Sequence, residues 1–341
     1  MKRRDFLRWA GATASLSLAG CSTGGQSIAT TLDLAYDAAP PHFQAVVMDR
    51  KEWFESMEST VESEKAGCKS IVQLLVSEKA DIGMIGIVPA LVVADSSVPV
   101  SIVSASSKDA FVVMITEEST AYFAEETGGF TAFAADRGRE FRLGTYSKGS
   151  VSDITARYWI QEVRGESVGD VELVPLGGPG AARQALLAGE VDGAVIPEPT
   201  PTLIEERTEA PYERFTAVGE FIPGEPAGVT VVRDAFAEEH PDAVETFVAN
   251  HAEATQFIRD SPGEAARYMS EVYGGEDALD RSTARNALEN PATTYITDPG
   301  TIVDGTSVLT EYAATLGKTE ERIRTDALFD MSYYEQAVTA E

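Results

Sequence analysis

Two stretches of the chain carry the same helix–turn–strand signature at a constant separation. In the first, Leu75 precedes Asp81 and the apolar run 82–85, and in the second, Leu186 precedes Asp192 and the run 193–196. The separation is 111 residues in both cases, since 186 − 75 and 192 − 81 are equal. An acidic turn between an amphipathic helix and a short buried strand is typical of α/β proteins. The repeat favours two units of similar build, although turns of this kind also recruit Asp and Gly independently.

Short apolar strands alternate with amphipathic helices through both stretches, as in βαβ arrangements. The predicted strands are residues 32–36, 81–86, 98–104, 111–116, 141–146, 171–176, 193–197 and 228–232. The predicted helices are residues 43–54, 71–75, 151–158, 181–188, 241–258 and 262–273, with 121–139 as a connecting excursion. This alternation predicts an α/β fold with largely parallel sheets and a helical C-terminal part.

Residues 1–20 have the pattern of an export signal. The pair Arg3-Arg4 precedes Phe6-Leu7 and a further base, which resembles a twin-arginine signal. The apolar residues 9–20 would rise only about 18 Å as a helix, short of the roughly 30 Å hydrocarbon core of a bilayer. We therefore expect a Tat-type lipoprotein signal peptide here and no membrane-spanning helix.

Cys21 ends the run Leu18-Ala19-Gly20-Cys21, which resembles the lipobox of exported lipoproteins. In such proteins the signal is cut before the cysteine, whose thiol then receives a lipid. The polar, glycine-containing residues 21–30 would form a flexible tether behind that lipid. This predicts an extracytoplasmic protein anchored to the outer face of the cell membrane through Cys21. A chance cysteine after small residues is the alternative.

The chain is strongly acidic, with 27 basic and 55 acidic residues and a formal charge of −28. Removal of residues 1–20 would take away four bases and one acid, which leaves 23 − 54 = −31. Such a surface repels phosphate backbones, so no nucleic-acid partner is expected. The acidity fits either attraction of a cationic ligand or adaptation of a halophilic protein to high salt.

Few residues carry the chemistry of enzymes or metal sites. With Cys21 lipidated, Cys68 is a lone thiol, which excludes a disulfide or a thiolate metal site within one chain. There is no Gly-x-Ser-x-Gly elbow, and the run 144–150 lacks the lysine that a phosphate loop needs after its last glycine. Metal-ligand spacing is also absent among the histidines, which are His42, His240 and His251. No cofactor, metal or enzymatic activity is therefore expected.

Four loops that follow predicted strands carry the candidate binding residues, because ligands of α/β sheets bind outside the carboxyl ends of the strands. The candidates are Asp37, His42, Gly86, Ile87, Val88, Ser147, Lys148, Gly149, Ser150 and Glu198. The loop 147–150 leads into a helix N-terminus, whose free N–H groups suit an anionic or polar oxygen. Alternatively, Ser150 only caps that helix, and Glu198 is a cap or a solvated acid. Lys148 favours an anionic solute, whereas Glu198 favours a hydrogen-bond donor.

Several of these motifs resemble those of solute-binding proteins from the nitrate/sulfonate/taurine class of ABC importers. The matching runs lie within about residues 31–260 and are Asp-Ile-Gly-Met-Ile-Gly (81–86), Phe-Arg-Leu-Gly (141–144), Ala-Gly-Glu-Val-Asp-Gly-Ala-Val (188–195) and Glu-Pro (198–199). The resemblance implies a two-lobed periplasmic-binding-protein type II fold with a helical C-terminal extension. Residues 31–118 and 222–341 would form the first lobe and 119–221 the second. The chain would cross between them near residues 116–119 and 221–228.

The resemblance also implies a function. A small polar solute would bind between the lobes, hinge closure would capture it, and the permease and ATPase subunits of an importer would be the partners of a monomeric binding protein. Two alternatives stay open, a sensory ligand-binding protein and an enzyme of the thiamine-pyrimidine synthesis type on the same scaffold. The enzyme would need a His- and Cys-rich site, which Cys68 alone matches poorly. The region after about Asp277 is less familiar and is expected to be an addition.

Overall fold

The computed structural model describes residues 30–55, 57, 59–124, 128–206 and 211–339, so the predicted signal, Cys21 and most of the tether lie outside the described residues. The strands are β1 (Thr31–Tyr36), β2 (Thr60–Lys65), β3 (Ile82–Gly86), β4 (Val100–Lys108), β5 (Phe111–Thr116), β6 (Phe141–Thr145), β7 (Val171–Pro175), β8 (Gly193–Pro197), β9 (Tyr212–Ala217), β10 (Pro226–Arg233) and β11 (Thr294–Tyr295).

Helices connect these strands and form the C-terminal part. The α-helices are α1 (Phe43–Arg50), α2 (Cys68–Val76), α3 (Ile87–Ala94), α4 (Gly129–Arg137), α5 (Val151–Tyr158), α6 (Pro179–Leu187), α7 (Thr200–Glu205), α8 (Asp234–Glu239), α9 (Pro241–Asp260), α10 (Pro262–Val272), α11 (Arg281–Leu288), α12 (Val303–Thr315) and α13 (Ser332–Thr339). A π-helical turn, Trp159–Val163, continues α5, and short 3-10 helices span Pro40–His42, Glu117–Tyr122, Val168–Asp170, Val218–Glu220, Pro299–Ile302 and Thr325–Ala327.

The strands form two sheets. The first has the order β11-β4-β10-β3-β1-β2, in which β1 pairs parallel with β2 and β3, while β10 pairs antiparallel with β3 and β4. The second has the order β7-β6-β8-β5-β9, with β6 parallel to its neighbours β7 and β8, and β5 antiparallel to β8 and β9. The predicted α/β fold with two units and a helical C-terminal part is confirmed.

The chain crosses between the sheets earlier than predicted. Its first crossing is at residues 109–110, between β4 and β5, and its return lies between β9 and β10. The expected exit at residues 116–119 is therefore corrected, because β5 hydrogen-bonds to β8 and β9. An apolar run such as 111–116 indicates a buried strand. It does not show which sheet the strand joins, because that depends on pairing with strands remote in sequence. The expected return at residues 221–228 overlaps the observed one.

The repeated Asp81 and Asp192 occupy equivalent positions in the two sheets. Asp81 accepts a hydrogen bond on Oδ2 from the backbone N–H of Asp33 (2.9 Å) and donates its own N–H to the Asp33 carbonyl (2.8 Å). Asp192 makes the same reciprocal pair with Arg142, at 2.9 and 2.8 Å. Each carboxylate therefore fastens the start of one parallel strand to its neighbour, which is the physical reason for the repeat.

Several elements were not predicted, and three of them lack a clear apolar pattern. Strand β2 has the polar sequence Thr-Val-Glu-Ser-Glu-Lys and is almost entirely exposed at the edge of its sheet, so no apolar pattern marks it. Strand β9 and helix α4, which lies inside the excursion 121–139, were missed for a similar lack of pattern. Helix α1 ends at Arg50 instead of continuing to residue 54.

The apolar core covers both faces of both sheets. On one face, Val244, Phe247 and Val248 of α9 pack with Phe43 and Val47 of α1 over the first sheet. On the other face, Leu91 of α3 and Leu309 of α12 lie in one cluster with Ile154 of α5. The two layers of helices therefore extend from the first sheet to the second. In the described ranges, every helix is too short or too polar to cross a membrane.

Candidate functional site

The carboxyl ends of the parallel strands in both sheets meet at the first crossing. Strand β4 runs parallel to β3, because both pair antiparallel with β10. It ends at Lys108, and Phe111 opens β5 three residues later, directly opposite Pro197 at the end of β8. Loops that follow β1, β3, β6 and β8 thus converge on one junction, which is where α/β sheets bind ligands.

Asp109 and Glu225 join the two crossing segments at the base of this junction. Asp109 accepts hydrogen bonds on Oδ1 from the N–H groups of Gly224 (2.9 Å) and Glu225 (3.1 Å), and its own N–H donates to the Glu225 carbonyl (2.8 Å). The Glu225 carboxyl in turn accepts a bond on Oε2 from Ala110 N–H (3.2 Å). Burial, and next the Asp109 charge, raise the pKa of Glu225 to about 8, so this carboxyl is largely protonated at neutral pH.

His42 is buried below the loop that follows β1. Its ring lies against the backbone of Gly228, where a Cβ would come within 2.6 Å of the ring Nδ1. Burial lowers the pKa of His42 to about 4, which keeps the imidazole neutral. Among the described residues its Nδ1 has no hydrogen-bond partner. His42 therefore supports the loop from beneath, and its contact with a solute stays a prediction.

Asp37, at the end of β1, interacts with the lone thiol. Cys68 Sγ donates to Asp37 Oδ2 at 3.1 Å. Burial, followed by the Asp37 charge, raises the pKa of Cys68 to about 12, so the thiol is protonated and poorly nucleophilic. This geometry fits a structural Cys68, as expected from the sequence.

The loop after β3 leads directly into α3. Gly86 precedes the first turn of the helix, while Ile87 and Val88 are buried in the core. Only the backbone of these residues could meet a solute at the junction, because their side chains are occupied by packing.

Ser150 caps α5, as in the alternative interpretation of loop 147–150. The Ser150 side chain accepts a bond from the backbone N–H of Asp153 (3.3 Å), and Gly149 N–H donates to Asp153 Oδ2 (2.8 Å). The Asp153 carboxylate is buried and pairs with Arg157 at 2.9 Å. The Gly149 N–H, which was predicted to bind an anionic solute, thus donates to a carboxylate of the protein itself. Ser147 and Lys148 are exposed, and their contact with a solute stays a prediction.

Glu198, after β8, is engaged inside the protein. Its Oε1 accepts bonds from Arg214 Nη2 (2.6 Å) and the Thr202 hydroxyl (3.1 Å), and its Oε2 accepts the Thr202 N–H (3.3 Å). Burial raises the pKa of this carboxyl, and the Arg214 charge acts against that rise. The arrangement matches the predicted alternative of a helix cap. Arg214 lies on the unpredicted strand β9, so sequence reasoning missed it.

Three tyrosines at the junction were also missed. Tyr146 directly follows β6, and its ring centroid lies 6.3 Å from that of Phe111 at the crossing. Tyr295 of β11 pairs with Ser107, and Tyr273 directly follows α10. Burial, followed by the neighbouring Tyr146 and Tyr295, raises the pKa of Tyr273 well above its usual value. The hydroxyl of Tyr146 is buried and has no hydrogen-bond partner in the described part of the chain.

The fold is shared with solved binding proteins. The aliphatic sulphonate binding protein SsuA from Escherichia coli is 14% identical, with a TM-score of 0.71 over 91% of this chain and 99% of that one. The nitrate-binding protein NrtA from Synechocystis PCC 6803 is also 14% identical, with a TM-score of 0.71 over 92% and 89%. A ligand-binding component of an ABC-type import system from Staphylococcus aureus, solved with zinc bound, is 16% identical, with a TM-score of 0.68 over 90% and 99%.

No curated protein sequence matches the chain. A family model does match it, that of the NMT1-like family, over residues 25–273, which is well over half of the chain. These residues contain both crossings, all four loops and both copies of the repeated Asp turn. The chain therefore belongs to the NMT1-like family.

Proposed function

We propose that this protein is the extracytoplasmic solute-binding component of an ABC importer. The observation that carries the proposal is the meeting of strand ends from both sheets at a crossing that, among the described residues, consists of two segments. Such a junction can bend while each sheet stays rigid, and a solute lying there touches loops of both units. Similar proteins named for sulphonate and nitrate binding share this fold, which supports the same class of activity here.

The first unit would comprise residues 31–108 and 226–341, and the second residues 111–217. Solute binding would favour the closed arrangement only to the extent that contacts from both units are better in the closed than in the open state. The buried Tyr146 hydroxyl, the Gly86 amide and the exposed Ser147 and Lys148 are the candidate contacts. The closed form would then deliver the solute to a membrane permease with its ATPase.

A Tat-type signal and a lipid on Cys21 would hold the mature protein at the outer face of the membrane. The remaining acidity fits a monomeric protein in a high-salt medium. An enzymatic role has little support, because the Cys68 thiol is protonated and the His42 ring is neutral and buried. Metabolic labelling with a radioactive fatty acid tests the anchor: Cys21→Ser would abolish a label that wild type carries, and an unlabelled wild type would disprove the lipidation.

A thermal-shift screen in high salt tests the function, with nitrate, taurine, alkanesulfonates and pyrimidines as probes. We expect at least one of these to raise the melting temperature in a saturable way. Lys148→Ala and Glu198→Ala then test the predicted site, and the former should weaken an anionic hit more. If both variants bind the best hit as wild type does, the predicted site is wrong.

A further inference from the structure

The C-terminal segment, residues 274–339, is anchored to the side of the first sheet. Helix α12 packs through Leu309 and Ala313 into the core beside α3, and Gly305 lies directly against the backbone of Gly224 at the return crossing. Helix α13 packs on α9, and its Tyr333 hydroxyl donates to the carbonyl of Ala237 in the neighbouring α8 (3.2 Å). The segment therefore moves with the first unit.

One part of this segment, residues 274–288, also holds the second unit; we name it the first arm. Asn286 of α11 donates through Nδ2 to Oε1 of Glu206, just beyond α7, at 2.7 Å. The Thr283 hydroxyl lies in hydrogen-bond contact with the other Glu206 oxygen. Arg183 of α6 donates through Nη1 to the Ala278 carbonyl (3.1 Å). Arg183 of α6 and Glu206, which directly follows α7, are thus tied to a segment that belongs to the first unit.

Residues 303–318 make separate contacts with the second unit; we name them the second arm. The Tyr312 ring of α12 lies 6.1 Å from the Tyr158 ring of α5, and its hydroxyl is 3.5 Å from Gln161 Oε1. The Lys318 side chain fills the space beside Gly149, where a Cβ would clash with it. Lys318 therefore covers part of loop 147–150.

The two arms hold opposite faces of the second sheet. Helix α5 connects β6 to β7, and α6 connects β7 to β8 on the other side of β6, so right-handed crossovers place them on opposite faces. The core agrees, because Ile154 of α5 and Ala182 of α6 belong to separate apolar clusters. The first unit therefore contacts the second unit on both of its faces through the two arms.

We propose that residues 274–339 act as a two-armed clasp that favours the closed arrangement of the two units before any solute binds. This rests on the proposed function for its biological meaning, because a clasp regulates affinity only if a solute binds between the units. Its contacts with the second unit combine side-chain hydrogen bonds with the apolar packing of α12 beside α5. Each of these hydrogen bonds contributes little net free energy, so the clasp biases the opening equilibrium without locking it.

Solution scattering of the protein without any solute tests the clasp. The double variant Thr283→Val and Asn286→Ala removes both side-chain bonds to Glu206, together with the Thr283 hydroxyl bond to Asp280. Arg285→Ala on the same helix removes a pair with Glu289, which directly follows α11. We expect the double variant to have a larger radius of gyration than wild type and the control to match wild type. Lys318→Ala should expand the protein in the same direction.

Circular dichroism and melting of each variant show that it is folded. If the folded double variant and Lys318→Ala keep the wild-type radius of gyration, the clasp is disproved. The radius of gyration is measured without solute, so this test is independent of the proposed function. If the variants expand but the protein binds none of the screened solutes, the clasp is supported and the assignment as an importer component is not. If a solute binds, a clasp that acts as proposed should make the double variant bind it roughly five- to tenfold more weakly.

Discussion

Asp109 and Glu225 bind each other's backbone across the two segments that connect the sheets. The Asp109 carboxylate accepts the Glu225 N–H at 3.1 Å, while the Asp109 N–H donates to the Glu225 carbonyl at 2.8 Å. Their positions are 225 − 109 = 116 residues apart in sequence. These bonds lie where a hinge between the two units would bend. Substitutions at Asp109 and Glu225 should therefore affect both the stability of the fold and the opening of the two units.

Asp109→Ala should destabilise the protein strongly. It removes the acceptor of two backbone N–H groups and puts alanine at a φ of 53°, a left-handed conformation that Ala adopts poorly. We expect a loss of about 2–4 kcal/mol in the free energy of unfolding. Asp109→Asn keeps an acceptor and tolerates this φ, so it should lose about half of that or less. Urea unfolding in high salt measures both, and equal losses for Ala and Asn would contradict the assigned role.

Glu225 should make the protein less stable as the pH rises. Its pKa is about 8 in the folded protein against an ordinary 4.5, so between these values the folded state holds a proton that the unfolded state has released. The stabilising contribution is complete below pH 4.5 and is lost as the pH rises through 8. Glu225→Gln removes this dependence, and its stability relative to wild type should increase by up to about 1.4 kcal/mol per pH unit. Parallel curves for the two proteins between pH 5 and 8 would refute the buried acid.

Because of His251, the stability of the protein should fall as the pH becomes acidic, which is opposite to the pH dependence that Glu225 causes. Burial lowers its pKa to about 3 from 6.5, and its ring nitrogens lie 3.2 Å from the Ser106 hydroxyl and 3.3 Å from the Thr297 hydroxyl. Below pH 6.5 only the unfolded state takes up this proton, so wild-type stability falls toward acid. His251→Gln should be less stable than wild type at pH 7, and this gap should narrow as the pH falls. A gap of constant size from pH 7 to pH 4.5, measured by urea unfolding, would show that the ring is not kept neutral.

Gly228→Ala should disturb the support of the first loop. An added Cβ would lie 2.6 Å from His42 Nδ1 and even closer to the Pro41 carbonyl, which leaves no room without a backbone shift. We expect a loss of about 1–3 kcal/mol, as for other overpacked positions. Gly263→Ala is the matched control, since it has nothing within 4 Å and lies in the first turn of α10, and it should be neutral or slightly stabilising. Similar behaviour of the two variants in thermal melts would mean that the close approach at Gly228 is unimportant.

Local pattern predicted the strands and helices with clear apolar periodicity, and it marked the Asp81 and Asp192 turns, because those features depend on neighbours in sequence. The sheet of β5 could not be predicted in this way, since its partners lie far along the chain. The candidate loops were found as loops, yet Ser150 and Glu198 turned out to be engaged with Asp153 and Arg214. Arg214 gave no signal because its strand alternates weakly, and Tyr146 was passed over because an aromatic residue at a strand end is usually core.

The central claim is that a solute binds between the two units and closes them. Solution scattering in high salt, with and without a saturating amount of the best solute from the thermal-shift screen, tests it most directly. The account predicts a smaller radius of gyration with solute in the Thr283→Val and Asn286→Ala variant, whose free form is expected to be open, and a smaller or no change in wild type. A solute that binds this variant saturably and leaves its radius of gyration unchanged would contradict closure.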